Sequence, residues 1–527
     1  MLPRDLLARC AQNFPNKVAY YCGDRSATWS QMDRRADQLA AGLQQLGVSQ
    51  GDTVAILTHE TIEVYEHFFA CMKIGAVRVG LNWRYAEEEM RHVLKDSNAK
   101  AVIVQARCRE TIEPLLPELV KSGVLVVGYG SDHDLELDYE SVVERGRDGG
   151  PQYPAIAPDD ALFISYTSGT SGLPKGVVLT HEGLHTNIQS SVVSIGFTPD
   201  DVWYVPAASA WVVVVLDLWG LANGMTHVLP DGDFEVSQFL HDIARYRVTV
   251  PLMVPTMMRW LAREYRSGKY DLSSMRMIVF GSSPASPALI RETSETFGCD
   301  LFQIYGLTEA TGGWVTFMTP QDYREALVND SERLKSVGRC GVHFEASIRG
   351  DDGEELAPNQ TGELWLRGVP VMKEYLNLPE KTEEVFPGDG WLKTNDIASR
   401  DEDGYIYLHD RKNFLIITGA VNVFPSSVEA VLSLHEDVEE VAVVGVPHPD
   451  WGEAVVAVVR AREDSELTQA KLLEVCKGRL GKPEIPKLVL FVDEPLPKTL
   501  SSKLRKKDIR SWVLDNPSLV PWSMEEA

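Results

Sequence analysis

Along residues 18–130 the apolar positions switch repeatedly between two spacings. Met32, Ala36, Leu39, Leu43 and Leu46 fall on one helical face, which Ser30 is expected to cap and Gly47 to stop. Thr53-Val-Ala-Ile-Leu57 is an unbroken apolar run of strand length, followed by a helix through Phe68 and Phe69. A strand at Ala76–Val79, a helix near Glu87–Leu94 and a strand at Ala101–Val104 complete the series. Repeated strand–helix units of this kind predict a parallel, doubly wound sheet. Residues 131–160 are acidic and rich in Pro and Gly, which reads as a surface connection. A second strand–helix series fills roughly 200–310, with strands at Val248–Val254, Met275–Phe280 and Leu301–Ile304. After about residue 335 short strands and turns (Ala346–Arg349, Gly362–Arg367, Tyr405–Leu408) predict a β-rich subdomain. From about 414 a small α+β unit follows, with a helix at Ser426–Leu434 and strands at Val441–Val446 and Ala454–Val459. No internal repeat of solenoid period is present. The fold class is therefore α/β: a large N-terminal domain of doubly wound sheets with a β-rich subdomain, then a small α+β C-terminal domain.

Composition narrows the class. At 527 residues the chain exceeds what one hydrophobic core serves, and 44% apolar with 24% charged residues is ordinary for a soluble globular protein. A formal net charge of −25 argues against a nucleic-acid or anionic-membrane surface. Seven scattered cysteines without a C-x-x-C pair predict buried thiols in a reducing compartment. The opening MLPRDLLARCAQNFP lacks the apolar core of a signal peptide, and the longest apolar run, Trp211–Leu216, ends at Asp217 and is too short for a bilayer. The expectation is a cytoplasmic protein without an integral membrane segment.

Chemistry concentrates in five stretches. Tyr166–Gly176, YTSGTSGLPKG, lies between two apolar runs that read as strands. Small residues let successive N–H groups converge on an anion, hydroxyls add donors, and a lysine adds a point charge for a polyphosphate. It is not the common G-x-x-x-x-G-K-[ST] loop, since Gly176 stands where the metal-binding hydroxyl would be; a plain polar hairpin loop is the alternative. Gln303-Ile-Tyr-Gly-Leu-Thr-Glu309 follows a buried strand, where α/β sheets collect ligands. There a Tyr can stack on a base and a Glu can hold magnesium. Asp396, in GWLKTND, suits a ribose diol or a turn; Arg411, in DRKNFLIITG, offers a fork for oxygens or a surface ion pair. Leu496-Pro-Lys-Thr-Leu-Ser-Ser-Lys-Leu504 could deliver a mobile cation, or form a basic turn before a helix.

In order and spacing these stretches resemble the adenylate-forming (AMP-binding) superfamily, in its acyl-CoA synthetase and acid–CoA ligase branch, from about residue 15 to 510. The resemblance implies a large domain at 1–412 for adenylation and a small, mobile domain at 413–527 that turns about a hinge at Asn413. It implies ATP-dependent activation of a carboxylic acid to an acyl-adenylate with pyrophosphate release, then transfer to CoA. Thr167, Ser168, Gly169, Thr170, Ser171, Gly172 and Lys175 would hold the β- and γ-phosphates. Tyr305, with Gln303 and Gly306, would lie against adenine, and Ser282, Ser283 and Pro284 along its other side. Thr308 would bond the α-phosphate, Glu309 ligate Mg2+, and Asp396 and Arg411 grip the ribose. Lys503 would bridge carboxylate and α-phosphate, and Gly419 would wall the pantetheine tunnel. Catalytic roles thus fall to Lys503, Thr308 and Glu309, with ATP, Mg2+ and CoA as the small molecules.

The chain departs from the family pattern in places. Ala207-Ala-Ser-Ala210 stands where an aromatic and a His are frequent after Pro206. Asn395 and Ser502 replace usual glycines, Asn413 and Phe414 sit at the hinge, Ala420 replaces a second glycine, and Ser427 a frequent Glu. The acyl pocket is expected between Trp203–Trp219, Met253–Trp260, Ser282–Ala285 and Gly312–Trp314, mostly apolar and aromatic, which favours a hydrophobic acyl or aryl acid. Three other readings are weighed. A carrier protein could replace CoA as acceptor. His181-Glu-Gly-Leu-His185 satisfies the zinc-hydrolase pattern H-E-x-x-H, although Gly183 weakens such a helix. A sensor that keeps ATP without catalysis is opposed by the presence of Lys503, Glu309 and Asp396. Association as a homodimer stays open.

Overall fold

The structure is a computed structural model that describes residues 2–167, 173–266, 268–312, 314–329, 332–418, 421–498 and 504–524. Its chain divides into two compact units, Met1–Ala346 with Leu366–Leu392, and Ser347–Trp365 with Lys393–Ala527.

The first unit contains two large sheets, and each is doubly wound. In the eight-stranded sheet the order runs Glu374–Tyr375, Lys175–Thr180, Ala161–Thr167, Val77–Leu81, Thr53–Leu57, Ala99–Gln105, Leu125–Tyr129, Leu137–Asp138. Its inner strands are parallel and buried at every position of Thr53–Leu57 and Val77–Leu81, which is why they read as unbroken apolar runs. The nine-stranded sheet runs Arg339–Cys340, Thr316–Met318, Asp300–Tyr305, Met277–Phe280, Val250–Met253, Val202–Tyr204, Thr226–Leu229, Val18–Cys22, Arg25–Thr28. One apolar core joins residues of both sheets with the helices Trp29–Gln45 and Ile62–Ile74.

The second unit carries a four-stranded sheet, Phe344–Arg349, Thr361–Gly368, Leu392–Arg400, Ile406–Arg411, whose first strand begins in the preceding unit. It also carries a five-stranded sheet in which Gly452–Ala461 lies between Val438–His448 and Ile416–Thr418, with Leu488–Phe491 pairing parallel to it. The helices Pro425–Leu432 and Lys506–Asp515 bury Val428, Leu432, Ile509 and Val513 in this unit's two cores.

Two expectations need correction. The first long helix is capped by Thr28, not Ser30: Thr28 Oγ1 accepts from the Gln31 N–H and the Gln31 side chain returns to Thr28, while Ser30 Oγ donates to the Pro15 carbonyl at 2.6 Å. Residues 131–160 are not all surface connection, because Leu137–Asp138 adds an edge strand and Asp138 caps the helix Tyr139–Arg145, whose Tyr139, Val142 and Val143 are buried. All seven cysteines are free thiols. No helix among the described residues is long and apolar enough to cross a membrane.

Candidate active site

The Ser/Gly-rich stretch is the connection of an antiparallel hairpin. Ala161–Thr167 and Lys175–Thr180 pair from Ala161↔Thr180 to Thr167↔Lys175, so the two ends of the stretch are held side by side. Ser168–Gly172 lie outside the described residues. The exit is anchored by His92 Nε2 against the Pro174 carbonyl at 2.9 Å, and Tyr166 donates to Asp96 at 2.8 Å. Gly176 is required by space, since a Cβ there would lie 2.9 Å from Ile164 Cγ2.

Lys175 and Glu309, far apart in sequence, meet at one tyrosine. The short strand Glu374–Tyr375 adds to the edge of the hairpin, opposite Val178 and Val177. Lys175 Nζ sits over the Tyr375 ring, 4.3 Å from its centroid, and the Tyr375 hydroxyl donates to Glu309 Oε1 at 2.8 Å. The Met372 N–H donates to the Glu309 carbonyl at 2.7 Å, and Thr311 Oγ1 to the Pro370 carbonyl at 2.5 Å. The turn Thr308–Ala310 is thereby fixed on both sides, and Thr311 completes it in the left-handed region at φ 59°. Tyr375 belongs to no motif read in the sequence, and nothing local marks it: its role depends on a strand pairing 198 positions back along the chain, Tyr375↔Val177 being joined only in the fold.

Tyr305 ends the strand Asp300–Tyr305, and Gly306 is exposed beside it. Gln303 is buried, and its Oε1 accepts from the Tyr323 hydroxyl at 2.5 Å. Next to this strand end runs the exposed segment Ser282–Pro284. It reaches that place through Gly281, where a Cβ would come within 2.5 Å of the Ile304 carbonyl oxygen. Thr167, Lys175, Ser282–Pro284, Gln303, Tyr305, Gly306, Thr308 and Glu309 therefore share the first unit, several of them at the carboxyl ends of parallel strands, where open α/β sheets place ligands.

In the second unit Asp396 and Arg411 are direct cross-strand partners, with Arg411 Nε 2.7 Å from Asp396 Oδ1. Arg411 thus pairs with Asp396, not with Asp410, whose Oδ1 takes the Arg411 N–H. Asp396 is buried, its backbone N–H donates to Thr394 Oγ1 at 3.0 Å, and its carboxylate meets a guanidinium that is half exposed. Asn395 has φ 60°, a left-handed conformation that glycine adopts freely and asparagine next most readily. The departure from glycine at this position costs little for that reason. Asn413 and Phe414 form a short turn, Lys412–Phe414, with Lys506 Nζ 5.6 Å from the Phe414 ring centroid. Gly419, Ala420, Ser502 and Lys503 lie outside the described residues; Thr418 pairs with Val421, and Lys498 with Leu504, on either side of them.

His181 and His185 do fall on one helix, His181–Ile195, but the geometry is that of packing. His181 is fully buried and burial holds its imidazole down to about 4; neither ring nitrogen has a partner among the described residues. Among the described residues no three His, Cys, Asp or Glu side chains gather as a metal cluster.

Comparison with known proteins gives a consistent result. The family model for AMP-binding enzymes matches residues 7–376, and that for the AMP-binding enzyme C-terminal domain matches 427–503. An indoleacetate–CoA ligase of Aromatoleum aromaticum is 33% identical over 509 residues, covering 95% of this chain and 96% of the relative. A fatty acid–[acyl-carrier-protein] ligase, ScoC, of Streptomyces coeruleorubidus is 32% identical over 95% of this chain and 94% of its own. The crystal structure of ATP-bound MatB from Rhodopseudomonas palustris superposes with a TM-score of 0.85 at 29% identity, covering 98% of this chain and 99% of that one.

Proposed function

This chain belongs to the AMP-binding enzymes, in their acyl-CoA synthetase branch, and from that premise we propose that it is an acid–CoA ligase for a hydrophobic carboxylic acid, fatty or aryl. It joins the acid to AMP with release of pyrophosphate and then transfers the acyl group to CoA. The observation that carries the reading is the Lys175–Tyr375–Glu309 array, which places a cation and a carboxylate together beside the hairpin connection. A carboxylate attacking an α-phosphorus adds charge to oxygens that are already anionic, so pre-placed cations and N–H donors are what the step requires.

In this reading Lys175 and the 167–172 stretch bind the β- and γ-phosphates, Tyr305 and Ser282–Pro284 flank the base, Thr308 donates to the α-phosphate, and Asp396 with Arg411 takes the ribose. Lys503 serves the first half-reaction and Gly419 the second. Glu309 fits a magnesium ion: its Oε1 is occupied by Tyr375, which leaves Oε2, and magnesium takes one or two carboxylates and fills its octahedron with phosphate oxygens and water. Bound there, the ion would neutralise charge on the phosphates. The domain reading is 1–412 for adenylation and 413–527 for the small domain; the gap between the two matched regions, 376 to 427, supports a junction near Asn413. The acid preference rests on the apolar and aromatic residues expected around the acid and on the aryl acid in the name of the indoleacetate ligase; Trp203, Trp219 and Trp314 themselves pack together in the core.

The test is a panel of carboxylic acids assayed for AMP formation with ATP, with and without CoA. Acid-dependent pyrophosphate release that yields thioester only with CoA supports the reading; no release with any acid would overturn it. A carrier protein as acceptor is the second reading, favoured by the match to an acyl-carrier-protein ligase. Thioester formed on a phosphopantetheinylated carrier, but not on CoA, would select it.

A further inference from the structure

The first unit buries a set of charges that this reaction scheme does not use. Ser209, in the segment that follows the strand Val202–Tyr204, is 3% exposed, and both of its backbone groups are held by ionisable side chains. Its N–H donates to Glu60 Oε2 at 2.9 Å, and its carbonyl accepts from Arg78 Nη2 at 2.8 Å. Arg78 is wholly buried, lies between the rings of Phe68 and Phe163 at 5.0 Å from each centroid, and has Nε and Nη1 without partners among the described residues. Next to Arg78, Gly80 lets the backbones touch: a Cβ there would sit 2.8 Å from the Ala210 Cα.

Glu60 is one end of a chain of acids. Its Oε1 accepts from the Tyr65 hydroxyl at 2.6 Å, and that hydroxyl lies 3.0 Å from Asp217 Oδ2. The Asp217 carbonyl accepts from Tyr20 at 2.7 Å, and His227 Nδ1 lies 3.4 Å from Asp217 Oδ1. Burial and the neighbouring Asp217 push the Glu60 carboxyl up to about 7. Asp217 belongs to the short helix Val212–Leu218, so this one network fixes both the segment entering that helix and the helix's far end. Burying the Arg78 guanidinium without a close ion-pair partner, beside carboxyls that burial drives toward the neutral form, is unfavourable against an apolar replacement, so stability alone does not account for the arrangement.

The stretch that follows the clamped segment packs on the proposed site. Gly312 packs on Val212, a Cβ there coming within 2.9 Å of Val212 Cγ2. Trp219 Nε1 donates to Asn187 Oδ1 at 3.0 Å, and Asn187 Nδ2 donates to the Thr311 carbonyl at 3.4 Å. Both ends of the 212–219 stretch therefore bear on the loop that follows Thr308 and Glu309. Ala207, Ala208, Ser209 and Ala210 are all small, so the position of this wall is set by backbone placement and not by side-chain bulk.

We propose that Glu60 and Arg78 are positioning residues which fix the Ser209 backbone as a wall of the acyl pocket and so set which acid the enzyme accepts. This rests on the functional reading above. Glu60→Ala removes the acceptor for Ser209; Gly80→Ala presses on the same segment from the other side without disturbing Glu60. Glu60→Ala should raise the KM for the acid about tenfold, the scale of losing a hydrogen bond to a charged group, and Gly80→Ala should raise it by displacing the same backbone, with the KM for ATP within about twofold of wild type in both. Glu60→Gln keeps an acceptor oxygen and should restore the acid KM. Unchanged acid KM in Glu60→Ala and Gly80→Ala would overturn the proposal, and so would a parallel rise in the acid and ATP values. If Glu60→Ala does not fold, Gly80→Ala decides alone. Wild-type protein that activates no acid would instead sink the functional reading.

Discussion

Tyr375 gives the sharpest test of the proposed site, because two substitutions separate its two contacts. Tyr375→Phe removes the hydroxyl that donates to Glu309 Oε1 at 2.8 Å but keeps the ring under Lys175. A hydrogen bond to a charged group contributes about 1.5–3 kcal/mol, which is roughly 10- to 100-fold in an equilibrium constant. With that bond gone Glu309 regains rotamer freedom that costs about 1.5–2 kcal/mol to fix again, so the lower end of the range is a minimum. Tyr375→Phe should therefore raise the half-saturating Mg2+ concentration at least about tenfold in a pyrophosphate-release assay at fixed ATP. At saturating Mg2+ the ATP dependence should be nearly unchanged. Tyr375→Ala removes the ring as well, and a cation–π contact is worth about 0.5–1 kcal/mol at an exposed site, so ATP half-saturation should rise by a further factor of about two to five. A wild-type Mg2+ titration in Tyr375→Phe would refute the orientation of Glu309 by this tyrosine. Identical ATP dependence in the Phe and Ala variants would refute the ring as the seat of Lys175.

Other measurements probe the rest of the chain. Asp396→Ala should weaken ATP and AMP alike, since both carry the ribose diol, and leave pyrophosphate affinity in place; a change confined to pyrophosphate would contradict the ribose role. Lys503→Ala should slow adenylation by about 10²-fold or more while sparing thioester formation from supplied acyl-adenylate, and Gly419→Leu should do the reverse, as read by paired single-turnover assays. Equal losses in both steps for Lys503→Ala would exclude two successive domain arrangements. His181 titrates at 6.5 when unfolded but about 4 in the fold, so between pH 6.5 and 5 the unfolded chain binds a proton that the folded chain refuses. Stability contributed by its neutral form thus falls with pH through that window by about 2 kcal/mol, and His181→Leu should lose that much less in urea titrations at the two pH values; parallel profiles would disprove it.

How far the sequence reveals this molecule depends on whether the deciding interaction is local. The parallel strands were legible because both faces are buried, and a run such as Thr53–Leu57 has no other use. The 131–160 stretch misled because its acidic composition outweighed a short pattern, Tyr139, Val142 and Val143 at helical spacing behind the capping Asp138. At the first long helix Thr28 and Gln31 formed a complete capping box two residues before the serine that drew attention. In each case the deciding signal is local and weaker than the coarser pattern that surrounds it.

The charges around Ser209 are a different matter. Asp217 reads in the sequence as the end of an apolar run, and Arg78 as an interruption of Ala76–Val79, and no periodicity suggests that either is buried or that they converge from positions 139 residues apart. Asp396 and Arg411 show the same limit within one sheet. Each can be picked out by motif, yet whether they meet depends on the strand register, which shifts at Ile397 and Ala398. Because side chains alternate faces along a strand, a slip of one residue would carry Asp396 away from Arg411 altogether. Motifs therefore name the groups proposed to touch substrate. The register of the strands and the buried partners behind them decide where those groups stand, and for this chain that places the control of acid choice in Glu60 and Arg78, which no motif contains.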